Sequence, residues 1–240
     1  PMNTENFASL LGNQARNDLV RKFRLAAIDN VWPSDWEACE DFRTCMEAYF
    51  AQACQVSETI LQAIWDALQV NRVVDSTNTK EASHILTLLS YGVTSRHSKS
   101  KGPLVAAHTD VGVITLLTCD DGDCARLQRL NNSEWIDVSW PTAAQRQAQL
   151  DNDTIFVVNI ADCLSYMTGL PSTVHRVVAH GKTQPRNCLA LFHGLEPQAK
   201  FCIEGEEMTY EEWRKRRIAR AQEVLAGKDA RVDRLNDGKF

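Results

Sequence analysis

Apolar residues in the first third of the chain recur at spacings of three and four, which is the period of an amphipathic α-helix. The pattern runs from Phe42 to Leu68 and includes Trp65. Ahead of it, Ser34 and Glu37 have the spacing of a capping box, in which each side chain bonds the backbone N–H of the other residue. We therefore predict one long helix that lies along one face of the remaining fold as a support.

The period changes to that of short β-strands after this helix. Apolar and β-branched runs alternate with clusters of Gly, Asn, Asp and Ser, a pattern typical of strands joined by tight turns. The predicted strands lie within residues 85–91, 111–117, 127–130, 134–138, 153–162, 175–178 and 185–192. The acidic segment 120–123 resembles part of a calcium loop, but the spacing and terminal glutamate of an EF-hand are absent, so a hairpin turn is predicted.

A second helix is predicted near the C-terminal end of the sequence. Thr209 and Glu212 form another capping box, and the helix should run through about Leu225 and end near Gly227. Its first turn is acidic and basic residues follow, which suits the helix dipole. These basic residues are Arg214, Lys215, Arg216, Arg217 and Arg220. We predict that they form a solvated face; a phosphate or nucleic-acid site is the alternative.

Composition limits the class of protein. With 240 residues, 44% of them hydrophobic, the chain can bury one substantial core and is expected to form a single domain. Its formal net charge of −5 argues against a nucleic-acid surface, which is normally basic. The sequence contains no apolar run long enough to predict a membrane span and no secretory leader. Its eight cysteines contain no CxxC pair, so reduced thiols and a cytoplasmic location are expected.

Two further features have alternative interpretations. Cys39, Cys45 and Cys54 lie on or just before the predicted long helix, where a metal cluster is one interpretation. Free cysteines are more often small buried hydrophobes, and that is the prediction. The polar, basic segment 95–102 is predicted to be a solvated loop, and contact with an anionic substrate is its alternative.

Metal-binding chemistry lies at the start of the strand region. Residues i and i+2 of an extended chain point to the same side, so His108 and Asp110 can bind one ion while Thr109 faces away. A third ligand must come from a distant strand. The candidates are His175, His180 and His193. Two histidines and one carboxylate on one face of a metal leave positions open for a co-substrate and oxygen, which is the arrangement of non-haem Fe(II) oxygenases.

The order of these segments resembles the isopenicillin-N-synthase-like branch of the 2-oxoglutarate/Fe(II) dioxygenases. The resemblance is carried by His108 with Asp110, by the triplet at residues 175–177 and by Arg186 in the strand that follows. It extends over residues 86–197. It implies a mixed α and β fold with a double-stranded β-helix, or jelly-roll, core flanked by helices.

The resemblance also implies three regions within a single domain. Residues 1–85 would form an N-terminal helical support region, shorter than is usual in the family. Residues 86–200 would form the Fe(II)/2-oxoglutarate dioxygenase jelly-roll core. Residues 201–240 would form a C-terminal helix and tail packed on the same domain.

Roles for individual residues follow from the same resemblance. His108, Asp110 and His175 would bind Fe(II) and form the catalytic centre. The family's Arg-x-Ser motif, which binds the far carboxylate of 2-oxoglutarate, falls here on Arg186 and Cys188. A thiol donates a weaker hydrogen bond than a hydroxyl, so the chain departs from the family pattern at this position.

A second departure lies on an earlier strand. The family's Asn-x-Tyr element falls on Leu89 and Tyr91, so the tyrosine is kept and the asparagine is not. Arg186 and Tyr91 remain the implied carboxylate anchors, because the planar fork of an arginine binds a carboxylate bidentately. Substrate contacts are expected from residues close to these motifs in the sequence. The candidates are Tyr166, Met167, Phe192 and His193.

The implied function is an oxygenase of specialised metabolism that uses Fe(II), 2-oxoglutarate and O₂. It would oxidise a C–H bond of a small-molecule substrate by hydroxylation, desaturation or ring closure, and would form succinate and CO₂. One alternative is an Fe(II) oxidase of the same fold that does not use 2-oxoglutarate, to which Cys188 and Leu89 lend weight. Another is a non-catalytic protein that binds Zn(II) or Ni(II), since the same ligands accept these ions.

Overall fold

A computed structural model describes residues 20–26, 30, 32, 39–69, 83–92, 103–140, 154–180, 183–203 and 206–225. The predicted capping box at residues 34–37 and the predicted loop 95–102 lie outside the described residues. The strands are β1 (Val20–Ala26), β2 (Ile85–Tyr91), β3 (Val105–His108), β4 (Ile114–Cys119), β5 (Ala125–Asn131), β6 (Glu134–Asp137), β7 (Val157–Ile160), β8 (His175–Ala179), β9 (Arg186–His193), β10 (Lys200–Ile203) and β11 (Glu206–Thr209). The helices are α1 (Cys39–Leu68), α2 (Asp162–Thr168) and α3 (Tyr210–Leu225).

The strands form two principal antiparallel sheets. One has five strands in the order β1-β2-β9-β4-β7, and the other has four in the order β3-β8-β5-β6. Side chains from both sheets meet in one small interior cluster, so the sheets enclose a common space. The fold is a jelly-roll, as the sequence predicts. The hairpin of β10 and β11, the edge strand β1 and the short helix α2 were not predicted.

The outer face of the five-stranded sheet packs against α1. Alternate residues of a strand point to opposite faces, so Leu86, Ile114 and Leu191 share one face and are buried there. Leu61 and Trp65 of α1 belong to the same hydrophobic cluster. Burial of each such side chain stabilises the fold by about 2 kcal/mol, so the predicted long helix does support the sheet. None of the described helices combines the length and apolar character that crossing a bilayer requires.

A capping box fixes the N-terminal end of helix α3, and aromatic packing fixes one of its faces. Thr209 and Glu212 form the predicted capping box, because the backbone N–H of Glu212 donates to Thr209 Oγ1 at 3.2 Å and the backbone N–H of Thr209 donates to Glu212 Oε2 at 2.9 Å. Trp213 is buried and stacks on Tyr210 with ring centroids 5.9 Å apart. Its ring also meets Phe201 of β10 edge-on at 6.2 Å. The C-terminal helix therefore packs on the same core.

The predicted turn between β4 and β5 is held by its own acidic side chains. Asp120 Oδ1 accepts the backbone N–H of Gly122 at 3.0 Å and that of Asn187 at 2.9 Å. Asp123 accepts hydrogen bonds from the backbone and hydroxyl of Thr183. These carboxylates tie the turn to the chain that enters β9. The prediction of a hairpin turn is wrong, because β4 and β5 belong to different sheets and the segment connects the two sheets.

A pair of buried histidines lies between α1 and the outer face of the sheet. His84 and His193 are each 1% exposed, and their ring centroids are 4.2 Å apart. His193 Nδ1 lies 2.7 Å from the hydroxyl of Ser57, and the backbone N–H of Gly194 donates to His84 Nδ1 at 3.2 Å. Burial lowers the pKa of His84 to about 4. Burial, and to a smaller extent the charge of His84, lower the pKa of His193 well below its ordinary value.

This pair predicts a loss of stability in mild acid. The folded protein binds protons at these rings more weakly than the unfolded chain does. The contribution of these rings to the free energy of unfolding is therefore fully present above the ordinary histidine pKa of 6.5 and decreases as the pH falls towards about 4. For His84 the expected slope is roughly 1.4 kcal/mol of unfolding free energy per pH unit. His84→Asn should flatten this slope in urea unfolding measured from pH 7 to pH 4.5. The control His180→Asn alters an exposed ring and should not; equal slopes in both variants would refute the assignment.

Candidate metal centre

Three candidate ligands meet where β3 and β8 pair. His108 ends β3, His175 begins β8, and the two residues are partners in the antiparallel register. Asp110 follows β3 by two residues, and its Oδ1 lies 3.6 Å from His108 Nε2 and 3.8 Å from His175 Nε2. The ligand atoms of the three residues all lie within 4.8 Å of one another. Among the residues that the structure describes, this is the one group of three or more His, Cys, Asp or Glu side chains so placed.

Backbone carbonyls orient both imidazole rings. His108 Nδ1 lies 2.8 Å from the carbonyl oxygen of Ala106, and His175 Nδ1 lies 3.0 Å from that of Thr173. A carbonyl oxygen only accepts hydrogen bonds, so each Nδ1 carries the proton and each Nε2 presents a lone pair. Both lone pairs are thereby available on the side of the rings near Asp110, as metal binding requires.

The carboxylate of Asp110 is buried and held by two strands of the five-stranded sheet. Its Oδ2 accepts hydrogen bonds of 2.7 Å from the Thr115 hydroxyl and of 2.7 Å from the Asn159 amide, which leaves Oδ1 facing the histidines. Burial alone would raise the pKa of Asp110, but the two histidines and these hydrogen bonds hold it below its ordinary value. The site therefore offers two imidazole nitrogens and one carboxylate oxygen, a donor set that fits a divalent transition metal.

A layer of support behind the site was not predicted from the sequence. Thr109 faces away from the ligands, as expected, and its hydroxyl donates to Asp162 Oδ2 at 3.2 Å. Arg217 of α3 donates through Nε to the same Asp162 oxygen at 2.7 Å and through Nη2 to the Thr109 hydroxyl at 3.2 Å. Arg217 and Asp162 are both buried. The prediction of a solvated basic face is therefore wrong for Arg217, because the fold brings a buried carboxylate against it.

The implied co-substrate residues lie together on the interior face of the five-stranded sheet. Arg186 and Tyr91 are register partners on β9 and β2, and both are buried. In the next interior row, Cys188 lies between Leu89 of β2 and Cys119 of β4. Burial raises the pKa of Tyr91 well above its ordinary value, so its hydroxyl remains protonated and able to donate.

Arg186 is a buried cation with few protein partners. Its Nη1 donates to the carbonyl oxygen of Ala125 at 3.3 Å, and its Nη2 donates to Cys119 Sγ at 3.1 Å. No carboxylate forms an ion pair with it within the described part of the chain. A buried guanidinium without a carboxylate is costly, so this end of the interior suits an anionic ligand.

The four substrate candidates do not share one location. Phe192 points to the interior face and is the register partner of Thr115, which bonds Asp110. His193, the next residue, points to the outer face and is buried against α1; its expected orientation towards substrate or solvent is wrong, because side chains alternate along a strand. Tyr166 and Met167 pack against the outer hydrophobic cluster, and Tyr166 meets the Trp213 ring at 6.0 Å.

A cavity of about 720 Å³ lies at the ends of β2, β4 and β9 that carry Ser90, Cys119 and Cys188. It is lined by Tyr49, by residues 88–90, by residues 118–120, by Thr154 and by residues 187–189. None of the three candidate ligands lines it. Tyr49 belongs to α1, and Leu88, Thr118 and Leu189 point to the outer face of the five-stranded sheet, so the cavity lies between α1 and that face.

The chain is similar in sequence to a known protein superfamily and to several characterised proteins. Residues 83–195 match the model of the 2OG-Fe(II) oxygenase superfamily. Clavatol oxidase claD of Penicillium crustosum is 30% identical over 154 residues, which are 62% of this chain and 42% of that protein. A 2-oxoglutarate-dependent dioxygenase of Didymella fabae is 29% identical over 179 residues, which are 72% of this chain and 51% of that protein. The chain spans about half the length of these curated relatives.

Solved structures show the same fold. The crystal structure of a full-length Neurospora crassa protein in complex with alpha-KG has a TM-score of 0.66 and 23% identity, and the match covers 84% of this chain and 66% of that one. The structure of JOX2 in complex with 2OG, Fe and JA has a TM-score of 0.64 at 18% identity and covers 82% of this chain and 59% of that one. These similarities confirm the predicted jelly-roll.

The buried ion pair behind the site predicts an asymmetric effect of two neighbouring substitutions. Arg217→Ala leaves the buried carboxylate of Asp162 without its cation and should lower the free energy of unfolding by about 3 kcal/mol. Arg216→Ala removes a pair with Glu206 whose side chains are 57% and 59% exposed, and should cost less than about 1 kcal/mol. Urea unfolding of both variants measures the difference. Similar losses in the two would mean that the Arg217 pair does not anchor α3.

Proposed function

We propose that the chain is a member of the 2OG-Fe(II) oxygenase superfamily, whose model matches residues 83–195, and that it is an oxygenase of a small-molecule substrate that requires Fe(II), 2-oxoglutarate and O₂. The observation that carries the proposal is the convergence of His108, Asp110 and His175 at the junction of β3 and β8. When bound there, Fe(II) with 2-oxoglutarate and O₂ supplies the oxidation of a substrate C–H bond, with succinate and CO₂ as co-products.

The protein's contribution at the metal is orientation and charge. The carbonyls of Ala106 and Thr173 fix the tautomer of both histidines, so that each Nε2 is a ligand without any loss of a proton. Thr115 and Asn159 occupy one oxygen of Asp110 and leave the other for the metal. Three ligands on one side leave the remaining positions to the co-substrate and oxygen.

Arg186 and Tyr91 are proposed to bind the far carboxylate of 2-oxoglutarate. The buried guanidinium lacks a carboxylate partner within the described residues, and the protonated Tyr91 hydroxyl can add a second donor. Cys188 lies in the adjacent interior row and can supply only the weak hydrogen bond of a thiol. Leu89, which replaces the family's asparagine, adds no polar contact.

The small-molecule substrate is proposed to bind near Phe192, the one candidate substrate residue that shares the interior face with Thr115. Hydroxylation, desaturation and ring closure all begin with removal of hydrogen from a positioned carbon, so the protein's task is to place that carbon and exclude competing reactions.

We propose a role in specialised metabolism and a cytoplasmic location, since the described cysteines are free thiols suited to a reducing compartment. We do not expect nucleic acid as a partner, because the chain is acidic.

A second candidate function is an Fe(II) oxidase that does not use 2-oxoglutarate. The observation that favours it is the contact between Arg186 and the Cys119 sulfur, which occupies part of the guanidinium that the co-substrate would need. Use of 2-oxoglutarate distinguishes the two functions directly.

The co-substrate assignment predicts a spectroscopic titration. Under anaerobic conditions, addition of 2-oxoglutarate to the Fe(II)-loaded protein should produce the weak visible charge-transfer band of a keto-acid chelate. Arg186→Ala should raise the concentration needed by about tenfold or more, because a charge-assisted hydrogen bond is lost. The control Arg126→Ala removes an exposed pair with Asp137 and should leave the titration unchanged. An iron-loaded wild type without the band would favour the oxidase.

The metal assignment predicts that substitution of His175 removes iron binding and that substitution of the nearby His180 does not. His175→Ala should abolish Fe(II) retention and turnover while the circular dichroism spectrum stays that of the folded protein, since two remaining ligands bind iron weakly. His180→Ala, just beyond the end of β8 and exposed, should retain both. Metal content after gel filtration is the measurement, and full iron retention by His175→Ala would refute the site.

A further inference from the structure

Two cysteines face each other across neighbouring strands in the barrel interior. Cys119 of β4 and Cys188 of β9 are register partners. The next pair along, Asp120 and Asn187, is joined by a backbone hydrogen bond of 2.9 Å. Because bonded and non-bonded pairs alternate in an antiparallel ladder, Cys119 and Cys188 form a non-hydrogen-bonded pair, whose Cα atoms are typically about 4.5 Å apart. That separation lies within the range of roughly 4.4 to 6.8 Å found for disulfides.

The two sulfurs are in different electrostatic states. Cys119 Sγ accepts a hydrogen bond from Arg186 Nη2 at 3.1 Å. The hydrogen bond from the Cys188 thiol and the charge of Arg186 lower the pKa of Cys119 despite its burial. The same hydrogen bond, together with burial, raises the pKa of Cys188. The pKa of Cys119 is therefore the lower of the two, which makes it the sulfur that loses its proton more readily. A thiolate is the nucleophilic form of cysteine.

The other described cysteines differ from this pair. Cys54 and Cys163 are buried elsewhere, and burial raises the pKa of the Cys54 thiol to about 12 and that of Cys163 further. Cys124 is also buried, and its thiol donates to the carbonyl oxygen of Tyr91 at 3.0 Å. Within the described residues, the Cys119 and Cys188 pair thus combines a sulfur bonded to a guanidinium with a facing thiol.

We propose that Cys119 and Cys188 are a modification site at which a peroxide forms a cross-strand disulfide. The Cys119 thiolate attacks one peroxide oxygen and the O–O bond breaks, which gives a sulfenic acid and hydroxide; the hydroxide takes a proton to become water. The Cys188 sulfur then displaces the sulfenic oxygen as water and the S–S bond forms. Two thiols lose two electrons and two protons in total, and one hydrogen peroxide is reduced to two waters.

Oxidation changes the anion site as well. The disulfide cannot ionise, so it weakens the sulfur acceptor that partners Arg186 in the reduced protein. A guanidinium without that partner should bind a carboxylate more tightly. By linkage, an anion bound at Arg186 should favour the disulfide at equilibrium by the same factor by which the disulfide favours the anion. This second consequence depends on the proposed function of Arg186; formation of the disulfide does not.

The test uses metal-free wild-type protein, so that iron does not catalyse unspecific oxidation. After treatment with hydrogen peroxide, digestion without reductant should yield linked peptides that contain Cys119 and Cys188, and dithiothreitol should release them. The exposed Cys45 and Cys202 serve as internal references for general oxidation. Oxidation of these references while Cys119 and Cys188 remain thiols, or a link to Cys124 instead, would overturn the proposal.

Variants separate the two parts of the proposal. Arg186→Gln should slow disulfide formation by about tenfold, because the Cys119 thiolate loses its charged partner, and an unchanged rate would refute the role of the guanidinium. Cys188→Ser should leave a sulfenic acid on Cys119 that dimedone traps, whereas Cys124→Ser should still form the disulfide. In wild-type protein held in a glutathione redox buffer, 2-oxoglutarate should shift the equilibrium towards the disulfide. An equal fraction of disulfide with and without 2-oxoglutarate would refute the anion linkage while leaving the disulfide itself established.

Discussion

The structure depends on keeping one carboxylate ionised in the interior of a β-barrel. Asp110 is almost fully buried, and an ionised carboxylate without partners would cost several kcal/mol there. Thr115 and Asn159 donate to it from β4 and β7, while the rings of His108 and His175 approach it from β3 and β8. Residues from both sheets must therefore hold their register for the charge to be tolerated. The same contacts leave one oxygen and two ring nitrogens directed at a common point, so stability and metal binding rest on one arrangement.

The support continues outward from that point to the C-terminal helix. Thr109, between two candidate ligands, bonds the buried pair of Asp162 and Arg217, and the backbone N–H of Asp162 donates to the carbonyl of Asp110 at 2.9 Å. Arg217 can reach this position because α3 is fixed by its aromatic residues against the core. An element far from the metal centre in sequence thereby restrains the backbone of its ligands.

The opposite end of the interior has the opposite charge. Arg186 is buried beside Tyr91, and its nearest acidic partner is the Cys119 sulfur rather than a carboxylate. A ligand with two carboxylates suits an interior that has a metal centre at one end and a cation at the other, as the proposed function requires. Replacement of the family's serine by Cys188 also brings two sulfurs together, so the weaker co-substrate contact and the proposed oxidation site have the same origin.

The sequence by itself determined the long helix α1, the capping box of α3 and the pairing of His108 with Asp110, because each rests on a local period or a short spacing. The jelly-roll class was predicted through the resemblance to a known family. The sequence also predicted His175, Arg186 and Tyr91, through the order of family motifs. Tertiary structure alone decided that His193 faces α1 while Phe192 faces the interior, since a strand's two faces are assigned only when one packs against a helix. It likewise decided that Arg217 is buried with Asp162 and that Cys119 meets Cys188. These contacts join residues distant in sequence, and no local pattern encodes a register between strands.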